Sequence, residues 1–178
     1  MERLFLVSHI GLWVVVILQT LLILALFRYL GLLLNRLPAQ GPPLGKAAPR
    51  RDVADLNGRT HALGAPATRG QVLIFTSPTC PWCEKLAPDI PPFAASLGGE
   101  HDLLLVLSES TADPDARAYA EKVGGGMRLD VCRHSELFES YAVPGTPYGL
   151  FIDPEGIVRA KGTANTLTDL QTLVRVRA

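Results

Sequence analysis

Thr76-Ser-Pro-Thr-Cys80-Pro-Trp-Cys83-Glu-Lys85 follows directly on the apolar run Val72-Leu-Ile-Phe75. A short apolar run of this kind reads as a buried strand, and a helix is expected to begin at Cys80. A two-residue gap lets two thiols at a helix start reach each other and close a small disulfide ring. Free backbone N–H groups and the helix dipole favour a thiolate there. An exposed Cys80 of low pKa would attack a disulfide, and Cys83 behind it would resolve the mixed disulfide. The competing use of such a pair is half of a zinc site. Zinc needs about four ligands, commonly two such pairs or a pair with two histidines. Here the only other thiol is Cys132, and His61, His101 and His134 are scattered, so no metal is expected.

The chain has 178 residues, 48% of them hydrophobic, and a formal net charge of zero. Such a length fits one domain and an appendage, and the charge balance gives no reason to expect a nucleic-acid partner. Three cysteines are too few for a disulfide scaffold. The appendage is residues 1–34. Ile10 to Phe27 alone would span about 27 Å as a helix, close to the thickness of a bilayer's hydrocarbon. A cleaved signal peptide would have a shorter apolar core and small residues at a cleavage site. Instead Arg28-Tyr-Leu-Gly-Leu-Leu-Leu-Asn-Arg-Leu-Pro38 follows, which favours a retained single-pass anchor. A run apolar on all sides also suits lipid better than a protein core.

Residues 35–51, with Pro38, Gly41, Pro42, Pro43, Gly45 and Pro49, read as an extended tether, and 52–178 as the folded domain. Asp55-Leu-Asn-Gly58 reads as a turn between short edge strands. Beyond the dithiol, strands are expected at Val72–Thr76 and Leu103–Leu107, with Leu129–Cys132 extended. The helix from Cys80 to about Leu97 should kink or split at Pro88 and Pro91-Pro92. Asp113 is the expected N-cap of a helix that runs to about Val123, with Pro114 as its first residue. A short helix is expected near Ser135–Tyr141. A hairpin should turn at Asp153-Pro-Glu-Gly156 between Tyr148–Asp153 and Gly156–Arg159. A last amphipathic helix, Leu167–Val174, has Thr166 or Thr168 as its cap. The alternation implies an α/β domain, a central mixed sheet with helices on both faces.

Val143-Pro-Gly-Thr-Pro147 lies just before the Tyr148 strand. With it, the domain resembles thioredoxin over about Gly45–Ala178. The resemblance implies the thioredoxin fold, a cis Thr146–Pro147 bond packed against the dithiol, and a Thr146 backbone that binds an extended client strand. Trp82, between the cysteines, would either offer a client an apolar contact or simply shield the disulfide. Thioredoxin carries a buried acid six residues before its first active cysteine. Ile74 stands there in this chain, so Cys83 would need water or Glu84 as proton acceptor.

Gly45-Lys-Ala-Ala-Pro49 followed by Asp55-Leu-Asn-Gly58 is similar to the entry of the membrane-anchored TlpA and ResA branch. Within it the chain looks most like the MauD family. The points of similarity are the uncleaved anchor, the Pro/Gly tether, Ser77-Pro-Thr-Cys-Pro-x-Cys83, Pro147-Tyr148 and Val158-Arg-Ala-Lys-Gly162 with Asn165, whereas Trp82 stands where that family is expected to carry a smaller apolar residue. That resemblance implies a periplasm-facing thiol–disulfide oxidoreductase on the inner membrane. Its client would be the disulfide-rich small (beta) subunit of methylamine dehydrogenase.

No cofactor is needed, because the dithiol stores two electrons. The partners implied are a disulfide-containing client and a redox protein that recharges the dithiol. Two other readings differ in kind: a ResA-like reductant for cytochrome c maturation, and a redox-inert docking or chaperone module.

Two arguments about orientation oppose each other. Arg3, offset by Glu2, precedes the span, whereas Arg28, Arg36, Lys46, Arg50 and Arg51 follow it. A Lys and Arg count would therefore keep the domain in the cytoplasm. Dithiol chemistry on a membrane anchor favours the oxidising side, and the periplasmic reading rests on that. Cys132, on an expected strand, is either a small buried hydrophobe or the site of a regulatory or intermolecular disulfide.

Overall fold

The apolar run before the dithiol is the middle strand of the sheet, buried on both faces. In this computed structural model, which describes residues 2–34, 41–108, 111–124 and 129–175, β3 is Gly70–Phe75 and all six of its residues are buried. Successive strand residues point to opposite faces. Val72 and Ile74 thus enter one core with Leu86, Ile90, Phe93, Tyr119 and Leu170. Leu73 and Phe75 enter the other with Val53, Leu137, Tyr141 and Tyr148. A strand covered on both sides has no reason to alternate with polar residues.

Around β3 the sheet has five strands in the order β5-β4-β3-β6-β7. These are β4 His101–Leu107, β5 Asp130–Arg133, β6 Tyr148–Ile152 and β7 Val158–Thr163. The β3–β4 and β4–β5 pairs are parallel, and β3–β6 and β6–β7 antiparallel. A separate hairpin of β1 Arg51–Ala54 and β2 Thr60–Leu63 covers the second core through Val53 and Leu63.

The helix after the dithiol is split, as its prolines require. It runs as α2 Pro81–Leu86, a 3₁₀ turn Ala87–Asp89, and α3 Ile90–Ser96. Pro91 and Pro92 occupy the first turn of α3, where a missing N–H costs little. Asp89 accepts a hydrogen bond from the Leu167 N–H at 2.9 Å, which ties the split helix to α6 Leu167–Arg175. Thr166 caps α6: its hydroxyl accepts from Asp169 N–H at 3.2 Å, and the Asp169 carboxylate accepts from Thr166 N–H at 3.0 Å.

Three expectations shift. The helix α4 is Asp113–Gly124, and its Ala116 N–H bonds the Ala112 carbonyl at 2.9 Å. Asp113 is therefore the first helical residue and Ala112 the cap. The strand β7 starts at Val158, because Gly156 belongs to the turn, with φ 83° and its N–H on the Asp153 carbonyl at 2.9 Å.

The largest change concerns the tether. Residues 35–40 lie outside the described residues, but from Gly41 the segment is bonded to the domain. Gly45 N–H meets the Val158 carbonyl at 2.8 Å, and Val158 N–H meets the Lys46 carbonyl at 2.9 Å. Ala48 N–H bonds Gly156, and Gly41 N–H bonds Ala142, in the loop after α5 Ser135–Ser140. Tyr141 donates its hydroxyl to the Pro49 carbonyl at 2.8 Å. The segment satisfies backbone groups that an edge strand otherwise leaves open. By internal contacts the chain divides into Met1–Pro38 and Ala39–Ala178.

The first unit is the helix α1, Glu2–Leu34. Its stretch His9–Tyr29 has a mean hydropathy of 2.7 over a membrane-length window and is long and apolar enough to cross a membrane. Thr20 returns its hydroxyl to the Val16 carbonyl at 2.8 Å, so that polar side chain is satisfied within the helix.

Candidate functional site

Two distant segments meet because of strand register. Phe75, the last residue of β3, pairs with Tyr148, the first of β6. The loop leaving one strand therefore lies beside the loop entering the other. The first carries Cys80-Pro-Trp-Cys83 and the second Val143-Pro-Gly-Thr-Pro147. The Thr146–Pro147 bond is cis, and the Cys80 thiol donates to the Thr146 carbonyl at 3.3 Å.

Cys80 is the N-cap of α2, in extended conformation. Its N–H bonds the Ser77 carbonyl at 3.2 Å, and its own carbonyl accepts from Glu84 N–H at 3.1 Å. It is partly exposed, whereas Cys83, one helical turn on, is fully buried. Burial works against a Cys80 thiolate, but the backbone N–H and thiol of Cys83, the Thr146 side chain and the Trp82 N–H outweigh it, so its pKa is lowered. Cys83 moves the other way: burial raises its pKa, the neighbouring Cys80 adds to this, and a hydrogen bond with the Thr76 hydroxyl opposes it. One thiol is thus biased toward the nucleophilic form and the other toward holding its proton.

Trp82 is 56% exposed beside Cys80, and the Lys85 ammonium lies 4.4 Å from its ring centroid. That cation–π contact orients an apolar plate next to the dithiol. Glu84, named from sequence as a proton acceptor for Cys83, faces away. It is fully exposed and pairs with Lys122 at 2.8 Å, which lowers its pKa.

Two residues escaped sequence reasoning. Thr76, directly after β3, is fully buried, and its hydroxyl lies 2.6 Å from the Tyr119 hydroxyl on α4. In sequence Thr76 is only the end of an apolar run. A hydroxyl at the buried end of such a run, just before a dithiol, was the available signal.

The remaining candidates have structural explanations. Cys132 is buried in the core with Leu104 and Leu137, and burial, with the nearby Asp55 carboxylate, pushes its thiol up to about 12. His61 has a partner that the sequence did not reveal, the Asp55 carboxylate at 3.2 Å. Asp55, His61 and Asp130 bring their ligand atoms within 4.8 Å of one another, the arrangement among the described residues that could hold a metal ion. Asp55 already accepts the N–H groups of Asn57 and Arg59, and Asp130 pairs with Arg59. The Asp55 carboxylate closes the β1–β2 turn, and Asp130 lies on β5. His101 packs edge-on against Phe151, with ring centroids 5.0 Å apart.

Comparison with known proteins agrees with this geometry. Residues 62–175 match the family model of the thioredoxin-like domain. The methylamine utilization protein MauD of Methylorubrum extorquens is 35% identical over 176 residues, 94% of this chain and 83% of that one. MauD of Paracoccus versutus is 34% identical over 94% of this chain and 86% of its own length. Among solved structures, the thioredoxin domain of a thiol-disulfide oxidoreductase from Bacteroides vulgatus superposes with a TM-score of 0.63 at 22% identity, covering 76% of this chain and 99% of that one. StoA from Bacillus subtilis gives 0.60 at 14% identity, over 74% of this chain and 99% of its own. Those two likenesses concern the fold. The chain belongs to the MauD family of thioredoxin-like thiol–disulfide oxidoreductases.

Proposed function

We propose that the chain is anchored in the inner membrane by α1, faces the periplasm, and exchanges disulfides with client proteins there. Cys80 is the attacking thiol and Cys83 the resolving thiol. Trp82, Thr146 and Pro147 form the edge against which a client chain lies. The client is the small (beta) subunit of methylamine dehydrogenase, a reading supported by the relatives named as methylamine utilization proteins. One observation carries the redox assignment: a partly exposed Cys80 at the start of α2, bonded at 3.3 Å to the Thr146 carbonyl, with a buried Cys83 one turn on.

The exchange balances within the site. The Cys80 thiolate attacks a client disulfide, one client sulfur leaves as thiolate, and a Cys80–client disulfide forms. Cys83 then attacks Cys80, the second client thiol leaves, and the protein holds the Cys80–Cys83 disulfide. The client has gained two electrons and the protein has lost them. The reverse sequence oxidises a client.

The test uses Cys83→Ser in the full chain, in cells that make methylamine dehydrogenase, with acid quenching and alkylation. The expected product is a reductant-sensitive adduct between Cys80 and the small subunit, lost in Cys80→Ser/Cys83→Ser. An adduct with an apocytochrome instead would assign a reductant of cytochrome maturation. No adduct, with the double variant still supporting maturation of the enzyme, would leave a docking module.

A further inference from the structure

The loop that faces Cys80 is held at both ends by one residue of the segment entering the domain. At its start, the Ala142 carbonyl accepts a hydrogen bond from the Gly41 N–H at 2.9 Å. Just past its last residue, Pro147, stands Tyr148, whose buried ring lies against Gly41. A β-carbon at position 41 would overlap the Tyr148 hydroxyl and come within 3.0 Å of the ring carbon that bears it. Gly41 is itself fixed in place. It is buried, with a φ of 76° that favours glycine, and the Lys161 ammonium on β7 donates to its carbonyl at 3.2 Å. Gly45, in the same segment, has a similar φ of 71° but open space around it. Between the two held ends lies Thr146, whose carbonyl accepts from the Cys80 thiol at 3.3 Å. The Tyr148 ring belongs to the second core, and a close-packed interior transmits a displacement rather than absorbing it. A push on that ring is therefore passed to the Tyr148 backbone, and through it to Pro147 and Thr146.

We propose that Gly41 is a positioning residue for disulfide exchange. It sets where the Val143–Pro147 loop stands against the dithiol, and with it the Thr146 backbone on which a client strand lies. The inference rests on the client edge proposed above. Gly41 touches neither thiol nor client and acts through Ala142 and Tyr148. A small disulfide needs only the Cys80 sulfur. An extended client needs that sulfur and the Thr146 backbone at once, so a displaced loop penalises the client and spares the small disulfide.

The reduced full chain in detergent, mixed in turn with a disulfide-bonded peptide and with a small aromatic disulfide, separates these two demands. Oxidation of Cys80 and Cys83 is followed by acid quenching, alkylation and mass. Gly41→Ala is expected to slow oxidation by the peptide about tenfold or more, and oxidation by the small disulfide by less than about twofold, as a misplaced binding group would. Gly45→Ala carries the same backbone cost without touching the loop, and should leave both rates at their wild-type values. Gly41→Ala/Tyr148→Phe, which removes the overlapped hydroxyl, should recover part of the lost peptide rate, with Tyr148→Phe as its reference. Should Gly41→Ala fail to fold, Lys161→Met carries the test. It releases the Gly41 carbonyl and should show a smaller loss with the same preference for the peptide. A peptide rate unchanged in the folded variant, both rates lowered equally, or an equal loss in Gly45→Ala would overturn the role of Gly41. The client edge has its own control. A wild-type chain that reacts equally with the peptide and with a counterpart N-methylated beside the disulfide would overturn that edge itself.

Discussion

Cys80 and Cys83 carry the same group three residues apart, and the fold moves their ionisation in opposite directions. The depressed group, Cys80, contributes stability to the reduced protein above the unfolded thiol value of about 8.5, and that contribution is lost as pH falls through the folded value. The raised group, Cys83, contributes below the unfolded value and loses its contribution as pH rises through the folded one. A reactivity difference follows. Alkylation of the reduced chain should proceed at one site, Cys80, with a midpoint below the ordinary thiol value. Cys83 and Cys132 should react only after unfolding. Peptide mapping of the alkylated protein across pH checks this, and a Cys80 midpoint at or above about 8.5 would contradict the site's electrostatics.

At the scale of elements, two turns make testable contributions. The Asp55 carboxylate accepts the N–H groups of Asn57 and Arg59 at 2.7 and 2.9 Å and faces His61. Burial opposes its charge, but these hydrogen bonds outweigh burial and lower its pKa. Asp55→Ala leaves those donors without their acceptor and should cost about 1–3 kcal/mol in denaturant unfolding near neutral pH. The contribution is present above the unfolded carboxyl value of about 4 and is lost as pH falls through the folded one, so the gap between variant and wild type should close in acid. The second turn ends α5. Val143 N–H reaches back to the Phe138 carbonyl at 2.8 Å, and Ala142 between them has φ 45°. This is a helix stop that usually employs glycine. Ala142→Gly should therefore stabilise the domain by up to about 1 kcal/mol, read from the same unfolding curves.

Local chemistry was legible in sequence at this scale. Cys80-Pro-Trp-Cys83, the prolines that split the helix, and the Asp153–Gly156 turn act through neighbours in the chain. Thr76 and Tyr119 meet across 43 residues, and nothing in either segment announces the contact. It depends on where α4 settles against β3. His61 and Asp55 were likewise brought together by the pairing of β1 with β2.

For the whole molecule, the boundary between the apolar helix and the domain was the feature least visible in sequence. The segment after Gly41 joins the domain through backbone bonds to β7 and to the loop after α5. Such bonds leave no side-chain pattern, and proline and glycine read as a free tether. The fold itself was legible because β3, apolar on both faces, and the dithiol fix the centre of the sheet. Orientation is a property of the entire chain, where the Lys and Arg count and the dithiol chemistry point opposite ways. In intact cells whose outer membrane has been permeabilised, a membrane-impermeant maleimide should label Cys80 without lysis. Labelling only after lysis would place the domain in the cytoplasm and reverse the proposed location.

The chain has two tryptophans. Trp13 lies within the apolar helix and Trp82 stands 56% exposed at the dithiol. Disulfides quench indole emission on contact. In a Trp13→Phe protein, fluorescence would therefore arise from Trp82 alone and dim as the Cys80–Cys83 bond closes. The molecule carries its own optical gauge of its electron store, readable in real time without label or quench.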